Sequence, residues 1–340
     1  MIDIPFANVY LTRKCNLQCH YCNVWKSTKA YDDISYYHKN EKSLDWWKVF
    51  FTNWYNFQPN TFFSILGGEP LLVNWLPDLI NHLNKLGTLY TIITNCTLDD
   101  QLDNLIKNTD FIRGFTASVD VVENEYDKDR IEKSSIGFQR LISMKEKYAE
   151  KIDCCAECTL NAYNLDYAVP LIKKLNKYGI YASVSVIDPK LSEYYDFSNI
   201  EYNDRIFVQK NEKTKTIFKE IQSQPNVHMP KLLSYLYDDL PYKIQDIEDT
   251  IRYVSVDSDG KLRYNLRVRG KTVPNKVSYI DLLKATHNES NWEDIKYYYK
   301  QDMKNYDLGC NWSGIYMAKT IRLGDHDLQD KTHNLLTKEI

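Results

Sequence analysis

Thr12-Arg13-Lys14-Cys15-Asn16-Leu17-Gln18-Cys19-His20-Tyr21-Cys22-Asn23 sets three thiols within eight residues, directly after a run, Asn8 to Thr12, with the composition of a strand. Cysteines at this spacing can wrap three irons of a cubane cluster. Such clusters normally take four thiolates, so three supplied locally leave one iron with open coordination sites, which is where chemistry can happen. The competing readings are a zinc knot or reduced cysteines in a loop. Zinc prefers four ligands in paired short spacings, and His20, lying between two of the cysteines, is poorly placed to complete such a set.

Downstream of this stretch, short β-rich runs alternate with segments whose apolar residues recur at helical spacing. The strands are Phe62 to Leu66, Tyr90 to Thr94, Phe111 to Val119, Cys154 to Leu160 and Tyr181 to Ile187. The helices are Ser43 to Asn56, Asn74 to Leu86, Leu98 to Ile106, Ser134 to Tyr148 and Asn164 to Lys177, with Pro170 expected to delay the regular start of the last. This alternation predicts an α/β protein of parallel βα units, a barrel or an open wound sheet, with about six units in the first ~190 residues. From Asp188 to Asp249 the pattern dissolves, leaving one helix at Thr216 to Gln222 and another near Pro230 to Tyr237, so a boundary is placed near residue 190. The run Lys210 to Lys215 reads as a solvated face or loop. Two alternating runs, Ile251 to Val256 and Lys261 to Leu266, flank Asp257-Ser258-Asp259-Gly260 as a β-hairpin; the remaining ligand positions of a calcium loop are missing.

With 340 residues, 43% hydrophobic and 26% charged, the chain can bury a sizeable core. A net charge of -3 gives no global attraction to phosphate backbones and argues against nucleic acid as a partner. The start lacks the basic and apolar regions of a secretory signal, and no uncharged apolar run approaches bilayer length, which points to the cytoplasm and to no membrane association. Eight unevenly spread cysteines do not make a disulfide scaffold; clustered ones in a reducing compartment are better read as metal or catalytic ligands. The 27 tyrosines suit cores, interfaces and pockets alike and do not discriminate.

The CxxxCxxC spacing, with aromatic Tyr21 before the third cysteine, resembles the signature of the radical S-adenosylmethionine (SAM) superfamily. Leu66-Gly67-Gly68-Glu69-Pro70, after the second predicted strand, is similar to that superfamily's GGEP element. The resemblance implies that Cys15, Cys19 and Cys22 hold a [4Fe-4S] cluster whose open iron is chelated by SAM. Reductive cleavage of SAM would then give a 5′-deoxyadenosyl radical that takes hydrogen from substrate, the cofactor performing the hard step. It further implies that the Gly67 and Gly68 backbone and Glu69 meet the SAM ammonium, the glycines allowing close approach without a Cβ. Other strand-end positions expected near SAM are Pro70, Thr94, Asn95, Ser118, Asp120, Glu157, Asn161 and, more remotely, Ser185, with Asn164 a helix cap. Strand alternation puts Ser118 and Asp120 on one face, and Ser183 and Ser185 on another polar one. Cys96 is a departure: the superfamily motif has glycine there, and a side chain disfavours a left-handed turn.

Cys154, Cys155 and Cys158 fall within one predicted strand with Cys155 facing opposite to the other two, as packed structural thiols do. The hairpin resembles the start of the SPASM/twitch-type extension that binds auxiliary clusters in many superfamily members. Asn265 stands where a cysteine is expected, and downstream only Cys310 remains, so the extension is read as shortened and free of clusters. Cys310 is a candidate hydrogen donor to a product radical. The resemblance therefore implies a partial (β/α)6 TIM-like barrel over residues 1–190, with its site at the carboxyl ends of the strands. An α+β extension over residues 191–340 would cap it. It also implies a reductant such as flavodoxin or ferredoxin. Three classes stay open: an enzyme modifying a peptide or protein, the same chemistry on a sugar, nucleotide or lipid precursor, and a non-catalytic iron-sulfur or zinc protein.

Overall fold

A computed structural model describes residues 6–19, 22, 24, 34–120, 128–186, 208–209, 211–229, 253–260 and 262–264. In chain order it contains β1 (Phe6–Tyr10), α1 (Ile34–Asn40), α2 (Leu44–Phe57), β2 (Phe62–Leu66), α3 (Leu76–Leu86), β3 (Leu89–Thr94), α4 (Asp99–Lys107) and β4 (Ile112–Ser118). Next come α5 (Lys128–Tyr148), β5 (Ile152–Leu160), α6 (Leu165–Lys177), β6 (Tyr181–Val186), α7 (Glu212–Gln222), β7 (Val227–His228), β8 (Tyr253–Val256) and β9 (Leu262–Tyr264).

The strands form one sheet in the order β7-β6-β5-β4-β3-β2-β1-β8-β9. Every neighbouring pair is parallel except β8 with β9. Six βα units wound consecutively into an open parallel sheet make the expected partial (β/α)6 barrel. Strand alternation sorts the side chains. Tyr90, Ile92, Phe115, Ala117, Ala156, Cys158, Ala182 and Val184 are buried in one core with Leu79, Leu83, Leu105, Leu141, Ile172 and Leu175 of the helices. The other face, carrying Thr91, Ser118, Glu157, Thr159, Ser183 and Ser185, is half-buried. Among the described residues the helices pack on the core face, which leaves this inner face polar. Cys154 and Cys158 lie in the core and Cys155 on the inner face, so the three thiols do not converge. Among the described residues no helix is long and apolar enough to cross a membrane.

Several boundaries depart from the expected ones for local reasons. β1 ends two residues early because the chain leaves the sheet to meet the next turn: the Gly68 amide donates to the Thr12 carbonyl at 2.8 Å. Pro170 does not delay α6, which starts at Leu165 and carries the proline inside. One intrahelical bond is forgone there, and burial of Leu165, Ala168, Leu171 and Ile172 outweighs it. α7 begins at Glu212 rather than Thr216, because Asn211 caps it by accepting from the Thr214 amide at 3.0 Å; Glu212 to Lys215 form its first turn, with Thr214 buried. The short α1 had no periodic signal. Past residue 190 the chain adds to both flanks of the six strands, β7 beside β6 and β8 beside β1. The helix expected near Pro230 lies outside the described residues.

Candidate active site

The cysteine loop leaves the carboxyl end of β1 between β2 and β8, and backbone contacts define its path. Besides the Gly68 bond, the Glu69 amide donates to the Lys14 carbonyl at 2.8 Å, so the Gly-Gly-Glu turn forms a short ladder with Thr12 to Lys14. Glycine is required for this approach: a Cβ at Gly67 would lie 2.5 Å from the Thr12 carbonyl oxygen, and one at Gly68 2.1 Å from that of Lys14. The glycines thus admit the cysteine loop itself.

Cys15, Cys19 and Cys22 are half-buried and not joined in disulfides. The Leu17 amide donates to the Cys15 sulfur and the Val24 amide to the Cys22 sulfur, each at 3.4 Å. Amide donors aimed at sulfur favour thiolate, the form that binds iron. Burial pushes the Cys15 thiol up to about 12 against the pull of the Leu17 amide, so its proton is the kind that leaves as metal arrives. Among the described residues, no three His, Cys, Asp or Glu side chains converge on one point as ligands of a single ion do. A cubane, which takes one thiolate per iron, needs no such point. The donor set therefore fits the cluster.

Glu69 is fully buried. Its carboxylate accepts from the Thr94 hydroxyl at 2.6 Å, the Asn95 amide at 2.8 Å and the Leu71 amide at 3.0 Å. These bonds fasten the turn, which continues through Pro70 at the start of a short 3₁₀ segment, to the end of β3. Burial raises its carboxyl to about 7, the three donors acting in the opposite sense. Thr94 is spent on Glu69 and on accepting from the Cys96 amide at 3.0 Å. Asn95 donates through its side-chain amide to Asn16 at 2.9 Å, while Asn16 donates to Thr97 at 2.9 Å, so the end of β3 is laced to the loop between the first two cysteines.

Cys96 keeps the left-handed turn that its side chain was expected to disfavour, with φ 58°. The thiol is buried, and Arg140 donates to the Cys96 carbonyl at 2.6 Å, so neighbouring contacts over-determine the strained residue. Cys96→Gly should stay within about 1 kcal/mol of the parent in thermal unfolding, relief of strain offsetting the lost thiol contacts. Cys96→Val, β-branched in that backbone region, should cost about 2 kcal/mol or more.

Of the remaining expected positions, Ser118, Glu157 and Ser183 lie side by side on β4, β5 and β6, with Thr159 beside Ser185 one layer further along. Asp120 lies past the end of β4 and accepts from the Thr159 amide at 3.1 Å, so it braces two strands rather than simply continuing the face of Ser118. Asn161 is buried and turned onto its own loop, accepting from the Tyr163 and Asn164 amides at 2.9 and 3.2 Å. Asn164 holds the N-cap position of α6 but makes no capping bond; its side chain accepts from the Asn161 amide and donates to the Thr159 carbonyl. Tyr21 and Cys310 lie outside the described residues. Sequence reasoning missed Glu41, which accepts from the Thr12 hydroxyl at 2.6 Å and from Lys14 at 3.1 Å, and the polar residues inside the motif, Thr12, Arg13 and Asn16, which hold the loop. The latter were visible among the cysteines; Glu41 carried no local signal.

Comparison with known proteins agrees with this geometry. A curated relative, the S-adenosylmethionine-dependent nucleotide dehydratase of Flammeovirga pacifica, is 30% identical over 126 residues, 37% of this chain and 41% of that protein, so the match spans well under half of the relative. Among solved structures, SuiB of Streptococcus suis bound to its precursor peptide SuiA superposes with a TM-score of 0.59 at 15% identity, covering 87% of this chain and 67% of that one. The anSMEcpe structure with bound AdoMet gives 0.56 at 15% identity, covering 98% of both chains. At that identity these structures establish a shared fold. The radical SAM superfamily model matches residues 9–193. That span is more than half of the chain and carries the three thiols and the ends of β1 to β6, which makes this protein a member of the radical SAM superfamily, an enzyme whose cofactors are a [4Fe-4S] cluster and SAM.

Proposed function

We propose that the protein uses its cluster and SAM to take a hydrogen atom from a peptide or protein substrate lying over the inner face of the sheet. When bound, the cluster and SAM supply one-electron cleavage of the sulfonium and a carbon radical able to abstract hydrogen. The chain's part is to hold and to orient. Cys15, Cys19 and Cys22 bind three irons, and the Gly67-Gly68 turn fixes their loop. Ser118, Glu157 and Ser185, half-buried on the inner face, would meet polar groups of SAM or substrate, as would the Gly67, Gly68 and Asn95 backbone. Glu69, Thr94, Asp120 and Asn161 support that surface from behind. Tyr21 beside the cofactor and Cys310 as hydrogen donor enter on sequence grounds, as does a flavodoxin or ferredoxin reductant.

The observation that carries the reading is the amide-supported three-cysteine loop at the carboxyl end of β1, opposite a polar inner face. A peptide substrate is favoured by likeness to anSMEcpe, seen with AdoMet and a Cp18Cys peptide, and by the peptide seen with SuiB. A nucleotide substrate is the second reading, favoured by the dehydratase relative. Anaerobically reconstituted protein given dithionite and SAM should release 5′-deoxyadenosine, and Cys15→Ala, Cys19→Ala or Cys22→Ala should abolish it. Zinc in place of iron and sulfide, or turnover surviving those substitutions, defeats the proposal. Candidate peptides and nucleoside triphosphates should then be compared for deuterium transfer into 5′-deoxyadenosine; whichever class transfers label is the substrate class.

A further inference from the structure

Two residues before Cys15, Arg13 is buried with a 5% exposed surface. Its guanidinium donates through Nε to Asp257 Oδ1 at 2.8 Å and through Nη2 to Asp257 Oδ2, a bidentate pair. Asp257 has no exposed surface and follows β8 directly. Nη1 donates to the carbonyl of Val24, two residues beyond Cys22, at 3.4 Å. The Tyr10 ring of β1 and the Tyr37 ring of α1 lie 5.2 and 4.8 Å from the guanidinium carbon, cation-π distance. One side chain thus touches the strand that enters the cysteine loop, the backbone that leaves it and a carboxylate 244 residues away in sequence.

Desolvating two charges costs several kcal/mol per ion, and well-packed apolar residues commonly match or exceed the stability of such a pair. Stability is therefore a poor reason for its presence. What apolar residues cannot supply is direction: a planar fork held by two oxygens fixes the guanidinium plane, and a further donor, Nη1, fixes the Val24 carbonyl. Lysine, a single rotatable point charge, would do neither.

We infer that Arg13 and Asp257 form a positioning pair through which the β8–β9 hairpin sets both ends of the cysteine loop, and so the environment of the cluster. This rests on the reading that Cys15, Cys19 and Cys22 bind that cluster. Arg13 and Asp257 are positioning residues; neither reacts.

The test uses the full chain, reconstituted anaerobically. Arg13→Met with Asp257→Leu removes both charges while keeping apolar volume, so it should fold with a thermal midpoint near the parent's. It should nevertheless retain less than half of the parent's iron after gel filtration and give a shifted or heterogeneous spectrum of the reduced cluster in electron paramagnetic resonance. Asp257→Asn keeps the shape but leaves the Arg13 charge uncompensated near the cluster, and should move its midpoint potential in the positive direction. Parent-like iron, spectrum and potential in Asp257→Asn overturn the pair's role, as do parent-like iron and spectrum in a folded double variant. A parent chain that binds no iron and sulfide at all overturns the cluster reading itself, and the pair's role falls with it.

Discussion

Gly68→Ala should leave a chain that cannot retain its cluster, with iron content at least tenfold below the parent after anaerobic reconstitution. The added Cβ would sit 2.1 Å from the Lys14 carbonyl oxygen, 2.4 Å from the Lys14 carbonyl carbon and 2.7 Å from the Arg13 carbonyl oxygen. All three are backbone atoms, so no rotamer change relieves the clash; the loop must move by an ångström or more. That movement breaks the Gly68–Thr12 and Glu69–Lys14 bonds and displaces Cys15. Overpacking in a core typically costs about 1–3 kcal/mol, and a backbone-on-backbone contact belongs at or above the top of that range. Gly87→Ala is the matched control. It lies in a left-handed helix cap at φ 75°, where an added Cβ meets nothing nearer than 3.7 Å, so it should cost about 1 kcal/mol and leave the iron content unchanged. Equal iron in the two variants would refute this account of the turn.

Glu69→Ala should destabilise the metal-free protein by about 3–6 kcal/mol in urea unfolding, because it strands the Thr94 hydroxyl and the Asn95 and Leu71 amides in a fully buried site, each worth about 1–3 kcal/mol. Glu69→Gln, which keeps one carbonyl oxygen but turns an NH₂ toward donors, should cost roughly half as much. The same carboxyl gives a pH signature. Burial raises it from an ordinary 4.5 to about 7, so the folded state holds its proton where the unfolded state has lost it. Its contribution is complete below about 4.5 and is lost as pH rises through about 7. The stability advantage of the parent over Glu69→Gln should therefore shrink by about 2.5 kcal/mol between pH 5 and pH 8. A difference independent of pH over that interval would show that the carboxyl is not raised.

What could be read from sequence divides along a physical line. β3, β5 and β6 announce themselves because apolar residues alternate with polar ones within a few positions, and the helices between them because their apolar stripes recur every three or four. The three cysteines and the Gly-Gly-Glu-Pro run are equally local. What escaped is set by partners distant in the chain. Nothing local marks that Glu69 accepts from Thr94 and Asn95, or that Asn161 accepts from the amide of Tyr163. Cys96 can hold a left-handed turn because Arg140, on α5, ties down its carbonyl. Arg13 and Asp257 carry no mark of one another. α1, two turns long with Tyr37 as its one buried residue, is too short for any period to show.

The place of β1 in the sheet also bears on how the protein is made. β1 leaves the ribosome well before one of its two hydrogen-bonded neighbours, β8, which is translated roughly 240 residues later. At about 5–20 residues per second that interval is on the order of tens of seconds. Throughout it the nascent strand presents an open edge, a template for pairing with other chains. Maturation factors that deliver iron and sulfide therefore have reason to act after release, once synthesis is finished, and chaperones have reason to attend the amino-terminal strand before then.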